Sequence, residues 1–127
     1  MSLHKTFALA SAACLASVSP AFAQSAAPPQ TIMLSSFAYA PTPIQLMAGR
    51  PVTLTFANGS GKGHDFTARS FFATSRLLTG AVPGGRINLR PGETRTITII
   101  PRAGVYSVHC GHFLHKQMGM RSQIVVR

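Results

Sequence analysis

The segment from Val105 to Met120, VYSVHCGHFLHKQMGM, concentrates three histidines, one cysteine and two methionines in a short stretch of chain. Imidazole, thiolate and thioether groups are the side chains with which proteins bind copper and zinc. The only other cysteine, Cys14, lies near the start of the sequence. The density of ligands around Cys110 therefore predicts a metal site rather than a disulfide framework.

Strand periodicity indicates which of these side chains face the same way. Along VYSVHC, Val108 and Cys110 share one face, and His109 lies on the other. Because the first face is the more apolar, we expect Cys110 to point into the core at the end of its strand. In HDFTA the same rule places His64 on the inward face with Phe66. The two residues are therefore predicted to meet at one end of a sheet.

Other ligands are expected to return to Cys110 through a turn. A turn brings residues four to six positions later close to the cysteine, and His115 lies five positions later. His112, two positions later, is too near in sequence for unstrained binding of the same ion, so we expect a loop histidine. Met120 stands at the start of the last strand and is expected to face back under the turn. Met118 is the alternative thioether.

The predicted donor set is two imidazoles, one thiolate and one thioether, which describes a type 1 (blue) copper site with a weak axial methionine. Zinc is the competing metal, but it prefers four strong ligands without a thioether. A nucleophilic cysteine is a weaker alternative, because such an enzyme needs a histidine on another element, oriented by Asn or Asp. A site with four protein donors leaves no open position for substrate, so we expect no enzymatic activity.

The elements that must position these residues are short strands separated by Gly and Pro. VTLTFA (52–57) and TRTITII (94–100) alternate cleanly between apolar and polar residues. Residues 69–82 are the least strand-like part and predict a short helical excursion. Further strands are predicted at 31–39, 44–48, 64–68, 86–89, 105–110 and 122–127. The pattern predicts an all-β fold, an antiparallel Greek-key β-sandwich or barrel.

Residues 1–23 have the organisation of a secretory signal peptide. A cationic start at Lys5 precedes an apolar run, and Ala21-Phe22-Ala23 forms a cleavage site. The run is too short to span a bilayer, so we expect no stable membrane insertion. Lipidation of Cys14 is a weaker alternative, because Ser11 occupies the position at which a lipobox has a large aliphatic residue.

We therefore expect three regions: a signal peptide at 1–23, a disordered leader at 24–30 and one domain at 31–127, in a periplasmic protein. The charge is strongly positive, with 12 Lys and Arg against two acidic residues, Asp65 and Glu93. Such a field favours an acidic partner surface and speeds encounter. Export and the absence of a Lys/Arg run argue against nucleic acid as the partner, and we expect a monomer.

Three stretches of this sequence resemble a known family. FAYAPTPIQLMAGRPVTLTFAN is similar to its opening hairpin, GHDF to its first-histidine motif, and YSVHCGHFLHKQMGM with RSQIVV to its ligand loop and final strand. The family is the cupredoxins, the plastocyanin and azurin group of small blue copper proteins. The resemblance implies one type 1 copper ion, with His64 and His115 as imidazole ligands, Cys110 as the thiolate and Met120 as the axial thioether.

Two positions depart from the family pattern. Asp65 stands where the family usually has an Asn that ties the two ligand loops together, and its charge should favour Cu(II). The family pattern Met-x-Gly before the last strand reads Met120-Arg121-Ser122 here. HC-x-H also resembles the multicopper oxidases, but the chain has no His-x-His pair from which their copper cluster is built.

The resemblance implies an exported carrier of single electrons that passes them through the second histidine, His115, to a redox partner. Phe113 and Leu114 would form an apolar docking patch beside it if they are exposed. The alternative is a periplasmic protein of copper delivery or tolerance, which the additional methionines Met33 and Met47 leave open.

Overall fold

The computed structural model describes residues 14–17, 24–112, 115 and 118–127. Within these ranges the chain forms ten strands, one short helix and one 3-10 turn, which divide into two five-stranded sheets. The elements are β1 (Gln30–Ser35), β2 (Ala38–Ala40), β3 (Ile44–Leu46), β4 (Val52–Asn58), β5 (His64–Thr67), α1 (Arg69–Thr74), β6 (Arg76–Thr79), the 3-10 turn (Pro83–Gly85), β7 (Arg86–Leu89), β8 (Thr94–Ile100), β9 (Gly104–His109) and β10 (Arg121–Val126).

The two sheets have the strand orders β2-β1-β4-β8-β6 and β3-β10-β9-β5-β7. Most neighbouring strands are antiparallel, and the all-β sandwich predicted from the sequence is confirmed. Two pairs are parallel, β1 with β4 and β3 with β10. They arise because the chain leaves the first sheet after β2, adds β3 to the second sheet, and returns to the first in β4.

Alternating side chains build the core between the sheets. In β4 the apolar residues Val52, Leu54 and Phe56 are buried, as the sequence alternation predicts. The ring of Phe56 meets that of Phe66 from the opposite sheet at a centroid distance of 4.8 Å. Full burial of each such side chain stabilises the fold by about 1.5–3 kcal/mol relative to exposure. Packing in this shared core fixes the positions of the strand ends in the second sheet.

The region 69–82 contains the predicted helical excursion and also a strand that the sequence did not indicate. Helix α1 buries Phe71 and Phe72 against the core. Strand β6 then pairs with β8 at the edge of the first sheet, with an irregular register between Leu77 and Thr79. Most of β6 is exposed, so it lacks the alternating apolar pattern by which a strand is recognised.

The segment that precedes β1 lies against the domain, which differs from the expected disordered leader at 24–30. The amide of Ala27 donates to the carbonyl of Pro51 at 2.7 Å, and the guanidinium of Arg50 donates to Ser25 and to the carbonyl of Ala26. Ala27 is buried, and Gln30 already belongs to β1. These hydrogen bonds hold a stretch whose composition alone indicates disorder.

Both ends of the described domain lie at the same end of the sandwich. Arg127 exchanges backbone hydrogen bonds with Leu46 and Ala48, close to the Arg50 contacts that hold the segment before β1. Of the predicted signal peptide at 1–23, only residues 14–17 fall within the described part, and they are exposed. Among the residues that the structure describes, none belongs to a helix with the length and apolar character needed to cross a bilayer.

Candidate metal centre

The predicted ligands come from neighbouring strands of the second sheet. His64 is the first residue of β5, Cys110 directly follows β9, and Met120 directly precedes β10. The antiparallel pairing of β9 with β10 continues one step beyond the strands, because the amide of Cys110 donates to the carbonyl of Met120 at 3.1 Å. The amide of Met120 in turn donates to the carbonyl of His115 at 2.9 Å. Backbone hydrogen bonds thus close the loop and fix His115 above the end of the sheet.

Three of the four predicted donor groups converge. One ligand atom each from His64, Cys110 and His115 lies within 4.8 Å of the others. The Cys110 Sγ and the His115 Nδ1 are 3.4 Å apart, and the His64 and His115 rings have a centroid distance of 4.9 Å. His64 and Cys110 are buried, whereas His115 is half-buried. His115 is therefore the donor of this set that reaches the surface.

The structure places the two candidate thioethers differently. Met120 is fully buried and lies close to the three converging donors. Met118 is 58% exposed in the loop. Burial thus distinguishes Met120 from the exposed alternative Met118.

The chemistry of these donors fits a metal ion. Both ring nitrogens of His64 are buried and have no hydrogen-bond partner among the described residues, an arrangement that is costly unless a ligand satisfies one of them. Burial, reinforced by the neighbouring His115 and His112, lowers the pKa of His64, so its imidazole is neutral and able to bind. Burial raises the pKa of the Cys110 thiol, so metal binding must displace its proton.

Comparison with known proteins agrees with this geometry. The model of the cupredoxin-like domain family matches residues 7–126. The chain is a cupredoxin. Type 1 copper is the cofactor of this family, and it fits the donor set of two imidazoles, one thiolate and a nearby thioether. A comparison with curated protein sequences found no significant match.

Solved structures share the fold at low sequence identity. The sodium dithionite-reduced auracyanin of the photosynthetic bacterium Roseiflexus castenholzii is 21% identical, with a TM-score of 0.61 over 80% of this chain and 98% of that one. Auracyanin B is 19% identical, with a TM-score of 0.57 over 80% and 90% of the two chains. A multicopper oxidase of Campylobacter jejuni gives a TM-score of 0.61 at 15% identity, but this cupredoxin covers only 30% of its length.

Asp65 links the two parts of the chain that supply the donors. Its Oδ1 accepts hydrogen bonds from the amide of Gly111 at 2.9 Å and from the hydroxyl of Thr67 at 2.6 Å. Its own amide points to the Cys110 Sγ at 3.4 Å, and its carbonyl accepts from the buried Tyr39 hydroxyl at 2.7 Å. The aspartate thus makes the loop-to-loop connection that the family usually makes through Asn.

An aromatic side chain of the first sheet contacts the half-buried histidine, His115. Phe37, in the turn between β1 and β2, packs edge-on against the His115 ring at a centroid distance of 5.2 Å. It is the one described non-glycine residue with a positive φ, at 61°. A bulky residue in this conformation is strained, and such strain persists where other contacts hold it. The sequence of this turn contains no Gly or Asn, the residues that would indicate a positive φ at this position.

His112 is the side chain whose role was least apparent from the sequence. Its ring stacks on that of His115 at 5.4 Å, with an interplanar angle of 13°. Its ligand nitrogen also belongs to a second group of three donors, with Asp65 and Cys110, whose atoms all lie within 4.8 Å of one another. The C-x-H spacing is the signal in the sequence, but its two-residue separation favours a loop histidine over a ligand of the same ion as Cys110.

The remaining sequence predictions for this region concern the loop and the outer face of β9. His109 lies on the outer face and is half-buried, as expected. The predicted docking patch at Phe113 and Leu114 lies outside the described residues.

Proposed function

We propose that this cupredoxin carries single electrons between redox partners, using one copper ion held by His64, Cys110, His115 and Met120. The observation that carries the proposal is the convergence of His64, Cys110 and His115 within 4.8 Å at one end of the sandwich. A bound copper ion would supply one-electron chemistry through its Cu(II) and Cu(I) states. The protein would supply donors that suit both states, since thiolate and thioether favour Cu(I) and imidazole binds either.

The protein's own residues would perform three tasks in this function. Burial of His64 and Cys110 keeps water from the donors. The hydrogen bonds of Asp65 hold the loop after Cys110 against β5, so that the donors keep one arrangement in both oxidation states. His115, half-buried at the rim, is the donor through which electrons would pass to a partner.

The partner is proposed to be acidic where it meets the protein. With 12 Lys and Arg against two acidic residues, and with Asp65 buried, the surface is strongly cationic. Such a surface accelerates encounter with an anionic partner and makes the rate fall with rising salt. We further propose that the protein acts as a monomer in the periplasm after removal of residues 1–23.

Spectroscopy of the copper-loaded protein tests the proposal. We expect an intense visible absorption from the thiolate, a type 1 EPR signal and a reversible one-electron voltammogram. Cys110→Ser should remove the absorption, whereas Met120→Leu should keep it and change the potential, because the axial ligand tunes it. A colourless protein that binds only Cu(I) would contradict electron carriage.

Copper delivery is the second candidate function. The observation that favours it is the exposure of the methionines Met33 and Met118, at 41% and 58%. Met47 is also exposed, at 46%, but its Sδ accepts a hydrogen bond from the Arg50 guanidinium at 3.2 Å. Thioethers bind Cu(I), and exposed ones are accessible to an acceptor protein. Delivery predicts rapid transfer of Cu(I) to an apo-acceptor with little blue absorption, which the same spectra and a transfer assay would reveal.

A further inference from the structure

We infer that His112 and Asp65 form an entry site for copper, at which the incoming ion is bound before it reaches the buried donors. The inference rests on the proposed function, because Cys110 belongs to both donor groups. It concerns how the ion enters, which the final donor set does not determine.

The first step of the argument is the geometry of the second donor group. A carboxylate oxygen of Asp65, a ring nitrogen of His112 and the sulfur of Cys110 all lie within 4.8 Å of one another. The His112 Nε2 is 3.7 Å from the Asp65 Oδ2. The Oδ1 of Asp65 is occupied by hydrogen bonds from Thr67 and Gly111, so the Oδ2 is the oxygen directed to His112. Imidazole and carboxylate together suit Cu(II) in water.

The second step is accessibility. The His112 side chain is 42% exposed, whereas that of Asp65 is 1% exposed. His112 also lines a groove of about 380 Å³ that reaches the otherwise buried His64. Gly63 borders this groove, and a Cβ there would lie in van der Waals contact with the His112 Cε1 at 3.4 Å, so the ring lies directly against the backbone that precedes His64. One side chain thus touches both solvent and the route to the inner donors.

The third step is charge. A cation approaching this protein is repelled by most of its surface, because the formal net charge is +10. The sequence has two acidic side chains: Asp65 faces His112, and Glu93 lines the same groove beside Arg90, where it pairs with Arg95 at 3.0 Å. The carboxylate of Asp65 therefore supplies the attraction for Cu(II) at this site, because the charge of Glu93 is already balanced by Arg95.

The last step is transfer. Cys110 Sγ is common to the outer group of Asp65 and His112 and to the inner group of His64 and His115. An ion at the outer group would keep the sulfur as a ligand while it exchanges His112 and Asp65 for the inner imidazoles. The ring of His112 stacks on that of His115 at 5.4 Å, so the outer imidazole lies next to an inner one. The entry site therefore changes the rate of loading and not the final set of ligands.

The test is stopped-flow mixing of Cu(II) with the metal-free protein, comparing the parent with His112→Ala. Uptake is followed by the visible absorption and, independently, by a colorimetric chelator for free copper. We expect His112→Ala to slow uptake by about tenfold or more, the scale on which residues adjoining metal ligands act. Removal of copper by excess chelator should slow by the same factor, so that the Kd and the absorption spectrum stay unchanged.

Matched variants complete the design. His109→Ala, a half-buried histidine on the outer face of β9, should load at the parent rate. Asp65→Asn should slow uptake, and its combination with His112→Ala should slow it little further, because the two residues act as one site. His112→Gln repeats the test with a side chain of similar size.

Two results would overturn the inference. One is an unchanged uptake rate in both His112 variants. The other is a change of Kd and spectrum in parallel with the rate, which would make His112 a ligand of the final site or a structural support. Failure of the proposed function looks different: no variant would become blue, while the chelator would still report the uptake rates.

Discussion

The buried carboxylate of Asp65 should lower the reduction potential of the copper centre. An oxygen of Asp65 lies within 4.8 Å of the Cys110 Sγ. In a blue copper site, the charge of the redox-active electron is shared between the copper ion and this sulfur. Replacement by Asn removes the negative charge and keeps an oxygen that can accept from Gly111 and Thr67. The change therefore isolates electrostatics from the hydrogen bonds that join the loops.

The magnitude follows from Coulomb's law. Two unit charges about 5 Å apart interact with roughly 3.3 kcal/mol at an effective dielectric constant of about 20. About 2.3 kcal/mol corresponds to 100 mV for one electron, so the upper value is about 140 mV. The Arg86 guanidinium, which donates to Thr67 and flanks Gly111 with the Asp65 Oδ2, opposes part of this field. We expect Asp65→Asn to raise the potential by roughly 50 to 140 mV.

Cyclic voltammetry of the copper-loaded proteins measures this shift. Glu93→Gln is the matched control, since it removes the same charge from a half-buried carboxylate, 28% exposed, that is hydrogen-bonded to Arg95 and to the amide of Arg90. Arg95 and the solvent screen that charge, so the potential of Glu93→Gln should stay near the parent value. A potential of Asp65→Asn that equals or falls below the parent, with the visible spectrum retained, would refute the electrostatic reasoning.

Three further predictions concern the edge of the site, the fold and proton release. Phe37→Leu, which loses the ring contact with His115, should weaken copper retention, because the aromatic ring no longer packs against this ligand. Gly80→Ala should lower the free energy of unfolding by about 2 kcal/mol or more, because φ is +86° and a Cβ would lie 2.7 Å from the Cγ2 of Ile97. Copper binding near neutral pH should release about one proton from Cys110, because burial raises the pKa of this thiol and keeps it protonated without metal. Copper affinity should therefore increase with pH up to the thiol pKa.

Each of these predictions has its own control and contradiction. A rate of copper loss from Phe37→Leu equal to that of the parent would show that the ring contact does not help to hold His115. Gly84→Ala, also at positive φ but with open space around its Cα, should cost less than Gly80→Ala; equal costs would show that the contact with Ile97 is relieved. Proton release is measured with a pH indicator in weak buffer, and an unchanged pH on loading would mean that Cys110 is already a thiolate.

The sequence predicted the sandwich and the meeting of His64 with Cys110 at one end of a sheet, because both depend on strand periodicity. Alternation in 52–57 and 94–100 sufficed to place β4 and β8, and the same rule oriented Cys110 and His64 inward. The parallel pairs could not be predicted, because a strand's own pattern does not identify its neighbour.

Other features left no local signal. Strand β6 is an exposed edge strand without alternation. The turn that separates β1 from β2 depends on Phe37 at positive φ, where the sequence has no Gly or Asn to indicate a reversal. The stacking of His112 on His115 results from the course of the loop, which residue spacing alone does not fix.

The location of the residues that flank the described domain on either side has a practical consequence. Both Ser25 and Arg127 are held near Arg50 and Leu46, at the end of the sandwich remote from His115. A tag, tether or fused domain joined at either end would thus project away from the copper pole. Proteins attached through either end to an electrode or bead should present His115 outward. The rate of interprotein electron transfer should then change with linker length only when the linker is too short for a partner to reach His115.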